Sequence, residues 1–269
     1  MSIPTFVTSG PFVAGRQVTL GEEEAHHIRV RRLDMGMHVA VLDGQGTRGS
    51  GILVRLAKRN ATVEIESVQF TPAPRAVHLI LPIADKEHML WLAEKAAELA
   101  ASSWRPVQFR RSRSVTARGE GTMFTQKVSA RMAGALEQSG NAWMPTIYPE
   151  ATVDRAVAAA PDGVRVVLDA GGVPLAQLAA LRAMAGTSII ESRAVADSTA
   201  AGDEIVPTPV IIAVGPAGGI EEDELQRFME SGFIRASIGS TILRFETAAV
   251  AALAIARSLI APPTSEGSS

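Results

Sequence analysis

The pattern of apolar and polar positions changes character once along the chain. Up to about residue 70, apolar residues alternate with polar ones in short runs, the period of strands with one buried face. "TVEIESV" (62–68) sets Val63 and Ile65 against Glu64 and Glu66, a half-buried strand. "MHVAVLDGQGTRGSGILVRLA" (37–57) places Asp43-Gly44 between two apolar runs, which signals a hairpin. One stretch departs from the alternation. In "TLGEEEAHHIRVRRL" (19–33), Thr19 followed by Glu22 reads as a capping box, so a short helix is expected to start there. Residues 1–72 therefore predict a small β-barrel domain, and the Pro-containing "TPAPR" (71–75) predicts a stiff linker after it.

From residue 76 strands and helices take turns. "AVHLILPIA" (76–84) is a near-continuous apolar run, as a strand buried on both faces requires. "KEHMLWLAEKAAELA" (86–100) carries Met89, Leu92, Ala96 and Leu99 at helical spacing. Further strands are expected at "RPVQF", "VRVVLDA" and "PVIIAVG", and helices at 122–139, 174–184, 221–231 and 246–260. This alternation predicts an α/β domain with a mainly parallel sheet over 76–262. Residues 185–208 are small, polar and end at a proline, the composition of a mobile loop. Residues 263–269 are expected to be a disordered tail.

Composition narrows the classes. The chain has 269 residues and no cysteine, which excludes a disulfide framework and thiolate metal sites and fits a cytoplasmic setting. No membrane span or secretory signal is expected, because no long uncharged apolar run or basic-then-apolar leader is found. Residues 1–145 carry 18 Lys+Arg against 13 Asp+Glu, a net of +5, whereas residues 146–269 carry 8 against 15, a net of −7. A polyanion would meet the first half, not the second.

Two glycine-bearing stretches near the C-terminus carry the chemistry. "AVGPAGGIEEDEL" (213–225) runs from an apolar strand through a glycine turn into Glu221, Glu222, Asp223 and Glu224. A phosphate-binding loop needs a Lys and a Ser or Thr after its glycines, and this turn has neither. Four acids suit the positive end of a helix dipole and would repel phosphate. A turn built of backbone suits a neutral or cationic ligand better. The spacing is not G-x-G-x-x-G with an acid about 20 residues on, which disfavours a nicotinamide enzyme. "SIGSTILRFETAAVAAL" (237–253) has a second glycine turn, then Arg244, then Glu246 and Thr247 opening an apolar helix. Two such loops after neighbouring strands can wall one pocket at the carboxyl end of a sheet.

Together these loops resemble the paired signature loops of the small-subunit (16S) ribosomal RNA uridine N3-methyltransferases of the SPOUT superfamily. "WLAEKAAELA" (91–100), "RRSRSV" (110–115), "LEQSGNAWMP" (136–145) and "HHIRVRRL" (26–33) are similar to further segments of that family, the last to the start of its PUA-like RNA-binding domain. The resemblance covers most of the chain. It departs at Ala217, Asn141, Thr241 and Phe245, where the family usually has Glu, Arg, Arg and Thr.

The resemblance implies a homodimer with a C-terminal trefoil knot, S-adenosylmethionine as cofactor, and 16S rRNA, within the small ribosomal subunit, as partner. The cofactor residues it implies are Leu168, Val214, Gly215, Gly218, Gly219, Ile238, Gly239, Ile242 and Leu243. Transfer of a methyl group to N3 of uracil needs the imide proton removed and the base unpaired or flipped. Arg244 is the candidate to polarise a uracil carbonyl, and Glu246 and Glu137 join it as catalytic candidates, with Gln138 and Ser139 beside Glu137. Between Glu98, Glu137 and Glu246 the sequence does not choose a base. RNA contact is expected from Arg29, Arg31 and Arg32 after the first helix and from Arg110, Arg111 and Arg113, whose flat guanidinium forks suit phosphates and stacking. His26 and His27 lack a third ligand nearby, so no metal is expected. Trp91, Trp104 and Trp143 read as packing residues.

Overall fold

The computed structural model describes residues 3–112, 121–178, 180–181, 183 and 207–260. They fall into two units, residues 1–73 with 129–144, and residues 74–128 with 145–269.

In the first unit, β1 (Thr5–Val7), β2 (Gln17–Leu20), β3 (His38–Leu42), β4 (Thr47–Leu56) and β5 (Ala61–Phe70) form one sheet in the order β1-β3-β4-β5-β2. The expected hairpin joins β3 to β4: Asp43 Oδ1 accepts from the Gln45 and Thr47 N–H groups at 2.7 and 2.9 Å. Alternation in β5 buries Val63 and Ile65 while Glu64 and Glu66 face water. These residues, with Phe6, Leu20, Ile28 and Leu53, make the core. Helix α1 (Glu22–Val30) starts later than the capping box predicts. Thr19 is paired with Thr62 in the β2–β5 ladder, so the strand continues to Leu20, and Gly21 is the N-cap with no side-chain bond. Tertiary strand pairing outweighs a local cap of about 1 kcal/mol.

Helix α3 (Gly121–Ser139) belongs to the first unit only from residue 129 onward. That segment is knitted to the sheet by its own chemistry. Glu137 accepts from the Val7 N–H at 3.2 Å, Trp143 Nε1 donates to Thr71 O at 2.9 Å, and Met144 N–H donates to Gly44 O at 2.9 Å.

The second unit is built on a parallel sheet. It contains β6 (Val77–Pro82), β7 (Ser103–Gln108), β8 (Thr146–Ile147), β9 (Ala151–Thr152), β10 (Val164–Pro174), β11 (Val210–Val214) and β12 (Ile234–Ser237). The order is β12-β10-β11-β6-β7-β8, with β9 also on β7. Every residue of β11 is buried, as expected for a central parallel strand covered on both faces. On one face, α4 (Val153–Ala158) and α5 (Glu222–Glu230) cover Ile80, Val107, Val167 and Ala213, with Phe228 stacked on Phe109 and edge-on to Phe233. α2 (Lys86–Glu98) packs against α6 (Phe245–Ile260), and α6 lies along β6 and β11. Arg257 of α6 fastens this packing by donating to the carbonyls of Arg75, Leu99 and Ala100, the last two at the end of α2. Burial lowers its pKa to about 10. Of the expected helix at 174–184, residues 175–177 form a 3-10 turn and residues 180, 181 and 183 are helical; most of the 185–208 loop and the 263–269 tail lie outside the described residues.

Candidate functional site

The strand order puts a crevice where the chain doubles back. From β6 the chain moves outward to β7, β8 and β9, then returns beyond β6 to form β10, and β11 inserts between β10 and β6. Ligands of parallel α/β sheets bind at such reversals, outside the carboxyl ends of the strands. Here Leu168 of β10 lies level with Val214 of β11 and Ala236 of β12, so the bulged stretch of β10 after Leu168 and the loops after β11 and β12 open on the same side. They enclose a cleft of about 410 Å³.

All the residues proposed from the sequence for the cofactor line this cleft: Leu168, Val214, Gly215, Gly218, Gly219, Ile238, Gly239, Ile242 and Leu243. Three of the four departures, Ala217, Thr241 and Phe245, line it too, while Asn141 lies in the first unit and closes a turn with Trp143. The turn is tight: Gly219 N–H donates to Pro216 O at 2.8 Å, and Gly219 has φ +79°, a backbone state that favours glycine. Ile242 sits at the mouth, 94% exposed.

The acids after the turn do not crowd this cleft. Glu224 is buried; its Oε1 accepts the Arg110 N–H at 2.9 Å and its Oε2 the Glu221 N–H at 3.3 Å. The Arg110 guanidinium pairs with Glu221 and Asp223. Arg111 donates to Gly218 O at 2.9 Å and lies 3.4 Å from Glu221. Three of the four carboxylates are thus answered by the arginines at 110 and 111. Among the described residues lining the cleft, the charged group is Asp169, which the sequence reading passed over. Burial alone would raise its pKa, but the Gly171 N–H and the Arg235 guanidinium, 2.9 and 3.0 Å from its two oxygens, outweigh burial and lower it. It remains anionic at neutral pH.

A second cavity, about 510 Å³, lies beside the first and is lined by Glu87, His88, Trp91, Arg244, Glu246 and Thr247. One short segment serves both. Leu243, Phe245 and Ala248 face the cleft, while Arg244, Glu246 and Thr247 face the second cavity. His88 Nδ1 lies 2.6 Å from Glu246 Oε1. Glu246 is 7% exposed, and its Oε2 has no hydrogen-bond partner among the described residues. Trp91 is 45% exposed here, so the packing reading holds for buried Trp104 but not for Trp91. His88 was missed by sequence reasoning; the only local signal was its place one turn before Trp91 on α2.

The other candidates lie elsewhere. Glu98 pairs with Lys95 at 2.8 Å on α2. Glu137 belongs to the first unit, where burial raises its pKa against the opposing pull of the Val7 N–H and Arg31. Also in the first unit, Arg29 donates to the carbonyls of Ala57 and Lys58, at 2.8 and 2.7 Å, and closes the β4–β5 turn. Arg31 lies 5.8 Å from the Phe6 ring centre and is half exposed. Arg32 adopts φ +54° at the end of α1 and is exposed. Arg113 lies outside the described residues. No group of three potential metal ligands occurs among the described residues.

A parallel α/β unit with such a cleft outside the carboxyl ends of its strands has the architecture of a small-molecule-binding domain. Residues 71–257 match the RNA methyltransferase domain family and residues 20–66 the RNA methyltransferase PUA domain. The chain belongs to the RNA methyltransferase domain family. Its fold is that of the SPOUT-type enzymes with a PUA-like N-terminal domain. It is 26% identical over 247 residues to the ribosomal RNA small subunit methyltransferase E of a Synechocystis species, covering 90% of this chain and 73% of that one. Two solved structures share the fold. One is the ribosomal RNA small subunit methyltransferase E of Neisseria gonorrhoeae bound to S-adenosyl methionine (TM-score 0.77, 24% identity, 96% of this chain and 98% of that one). The other is a Legionella pneumophila protein in complex with SAM (TM-score 0.79, 22% identity, 96% and 98%).

Proposed function

We propose that this chain transfers the methyl group of S-adenosylmethionine to N3 of a uridine in 16S rRNA of the small ribosomal subunit. The observation that carries the reading is the placement of a backbone-built cleft against a polar cavity, with residues 243–248 as the shared wall. The cleft fits a sulfonium donor in its chemistry. Its walls are glycines, apolar side chains and backbone groups; among the described residues that line it the charged one is Asp169, and none is a lysine or arginine. Leu168, Val214–Gly219 and Ile238–Leu243 would hold the donor, which supplies an electrophilic methyl group when bound. The departures at Ala217, Thr241 and Phe245 change side chains where backbone does the recognising, so they are tolerated.

The second cavity then receives the uracil. Arg244 at its wall donates to a carbonyl oxygen of the ring and stabilises the negative charge that gathers there as the N3 proton leaves. Trp91 offers an exposed aromatic face for an unstacked base. The exposed guanidiniums of Arg31 and Arg32 in the first unit meet phosphates. Glu137 we assign to fastening β1 rather than to chemistry, because its Oε1 is engaged by the Val7 N–H.

In the same reading the enzyme is a cytoplasmic homodimer with its C-terminal segment tied as a trefoil knot. Val250, Ala251, Ala254 and Ile255 leave an apolar stripe partly exposed on α6, a surface suited to a second copy. Among the described residues no helix is long and apolar enough to cross a membrane.

The test incubates the protein with methyl-labelled S-adenosylmethionine and small subunits from cells lacking the activity. Digestion is expected to yield labelled N3-methyluridine; label on ribose, or on another base, would overturn the reading.

A further inference from the structure

None of the carboxylates offered by the sequence is placed to take the N3 proton. Glu98 is held by Lys95, and Glu137 by the Val7 N–H. Glu246 lines the second cavity, but its Oε1 is held by His88 and its Oε2 is sealed from solvent. The imidazole of His88 is the opposite case. Its side chain is 37% exposed against 9% for that of Glu246, and His88 lines the cavity together with Arg244 and Trp91.

We propose that His88 is the general base of the transfer, its Nε2 accepting the uracil N3 proton, with Glu246 as the buried carboxylate that positions it. This rests on the function proposed above. The geometry follows the logic of a histidine oriented by a carboxylate. Nδ1 lies 2.6 Å from Glu246 Oε1; in the neutral imidazole this carboxylate takes the Nδ1–H and leaves the Nε2 lone pair free. Glu246 is itself fixed because it opens α6, whose buried face anchors it. The charged groups around the ring are Glu87 on its own helix, Arg244 on the loop before α6, and Glu246. Phe245, 6.5 Å from the ring centre, closes the remaining side.

The step balances. The N3–H bond breaks toward Nε2 and leaves its electron pair on N3. That pair forms the bond to the methyl carbon as the carbon–sulfur pair returns to sulfur. A cationic sulfonium, a neutral uracil and a neutral imidazole become a thioether, N3-methyluracil and an imidazolium. Glu246 stabilises the imidazolium until the proton passes to water.

The test compares wild type, His88→Ala and His88→Gln in single-uridine methylation of small subunits, with donor affinity by calorimetry and thermal melting alongside. Glutamine keeps a donor for Glu246 but is no base. Both variants are expected to lose about 100-fold or more in kcat, the range of a general base. Donor affinity stays near wild type in both; melting temperature stays near wild type in His88→Gln and falls in His88→Ala, which leaves the buried Glu246 without its partner. Millimolar imidazole is expected to restore His88→Ala several-fold, a rescue that a merely structural histidine would not show. The proposal is overturned if either variant keeps more than about a third of wild-type kcat, or if activity is lost without imidazole rescue. If the wild type binds donor yet methylates no uridine at N3, the function itself fails, and that outcome is read from the wild type alone.

Discussion

Gly172 is the position where one added methyl group should disturb the cleft most. A Cβ there would lie 2.4 Å from the Ala236 nitrogen and 2.5 Å from the Arg235 carbonyl carbon, both backbone atoms of β12. Ordinary contact begins near 3.4 Å, so β10 and β12 must part locally by about 1 Å. That parting strains the Val173–Ala236 pairing and the bond from Ser237 Oγ to Gly172 O, 3.0 Å in the native chain. Two hydrogen bonds at about 1 kcal/mol each, with about 1–3 kcal/mol of overpacking, give a loss of roughly 3–5 kcal/mol. For a unit of this size that lowers Tm by roughly 10 °C. Ala236, Ser237 and Ile238 line the cleft, so Gly172→Ala should also weaken S-adenosylmethionine binding about tenfold. Calorimetric melting and donor titration measure both. Gly239→Ala is the control: its Cβ meets nothing within 4 Å, so its Tm should match wild type. If Gly172→Ala melts and binds like wild type, the strand contact does not set the cleft and the reasoning is wrong.

Arg111→Ala should weaken donor binding several-fold, because the guanidinium that donates to Gly218 O and steadies the turn is gone. Its half-exposed ion pair with Glu221 is worth about 1 kcal/mol at most, so Tm should move little. The salt dependence of RNA binding should change by well under the unit slope of a phosphate contact; a full unit would return Arg111 to the RNA face. Glu137→Gln tests the first unit. Burial raises the Glu137 pKa in the folded state, so its favourable contribution is complete below the unfolded value of 4.5 and is lost as pH rises through the raised folded one. The glutamine variant should therefore gain stability relative to wild type between pH 4 and pH 7, as measured by melting across that range. A constant difference across the range would show that Glu137 is not held against its ionisation.

The cleft was legible because its parts announce themselves locally. An apolar strand, a glycine turn and a helix start lie next to one another in sequence, and parallel strand-end loops converge by topology. The pairing of His88 with Glu246 was not legible for the converse reason. His88 and Glu246 are 158 residues apart, and neither stands in a pattern that requires the other. The acidic partners of the arginines at 110 and 111 were not legible either, because they lie about 110 residues further on. Short elements such as β1, β8 and β9 depend on pairing with distant strands and have too few residues to show a period. The start of α1 was misplaced because Thr19 serves a ladder whose other strand begins at Ala61.

The most direct measurement is a crystal structure of the protein with S-adenosylmethionine bound. The account predicts the donor between Leu168, the Gly215–Gly219 turn and the Ile238–Leu243 loop, with its methyl group turned across Phe245 toward His88. Donor bound at any other place, or a methyl group directed away from that cavity, would contradict it.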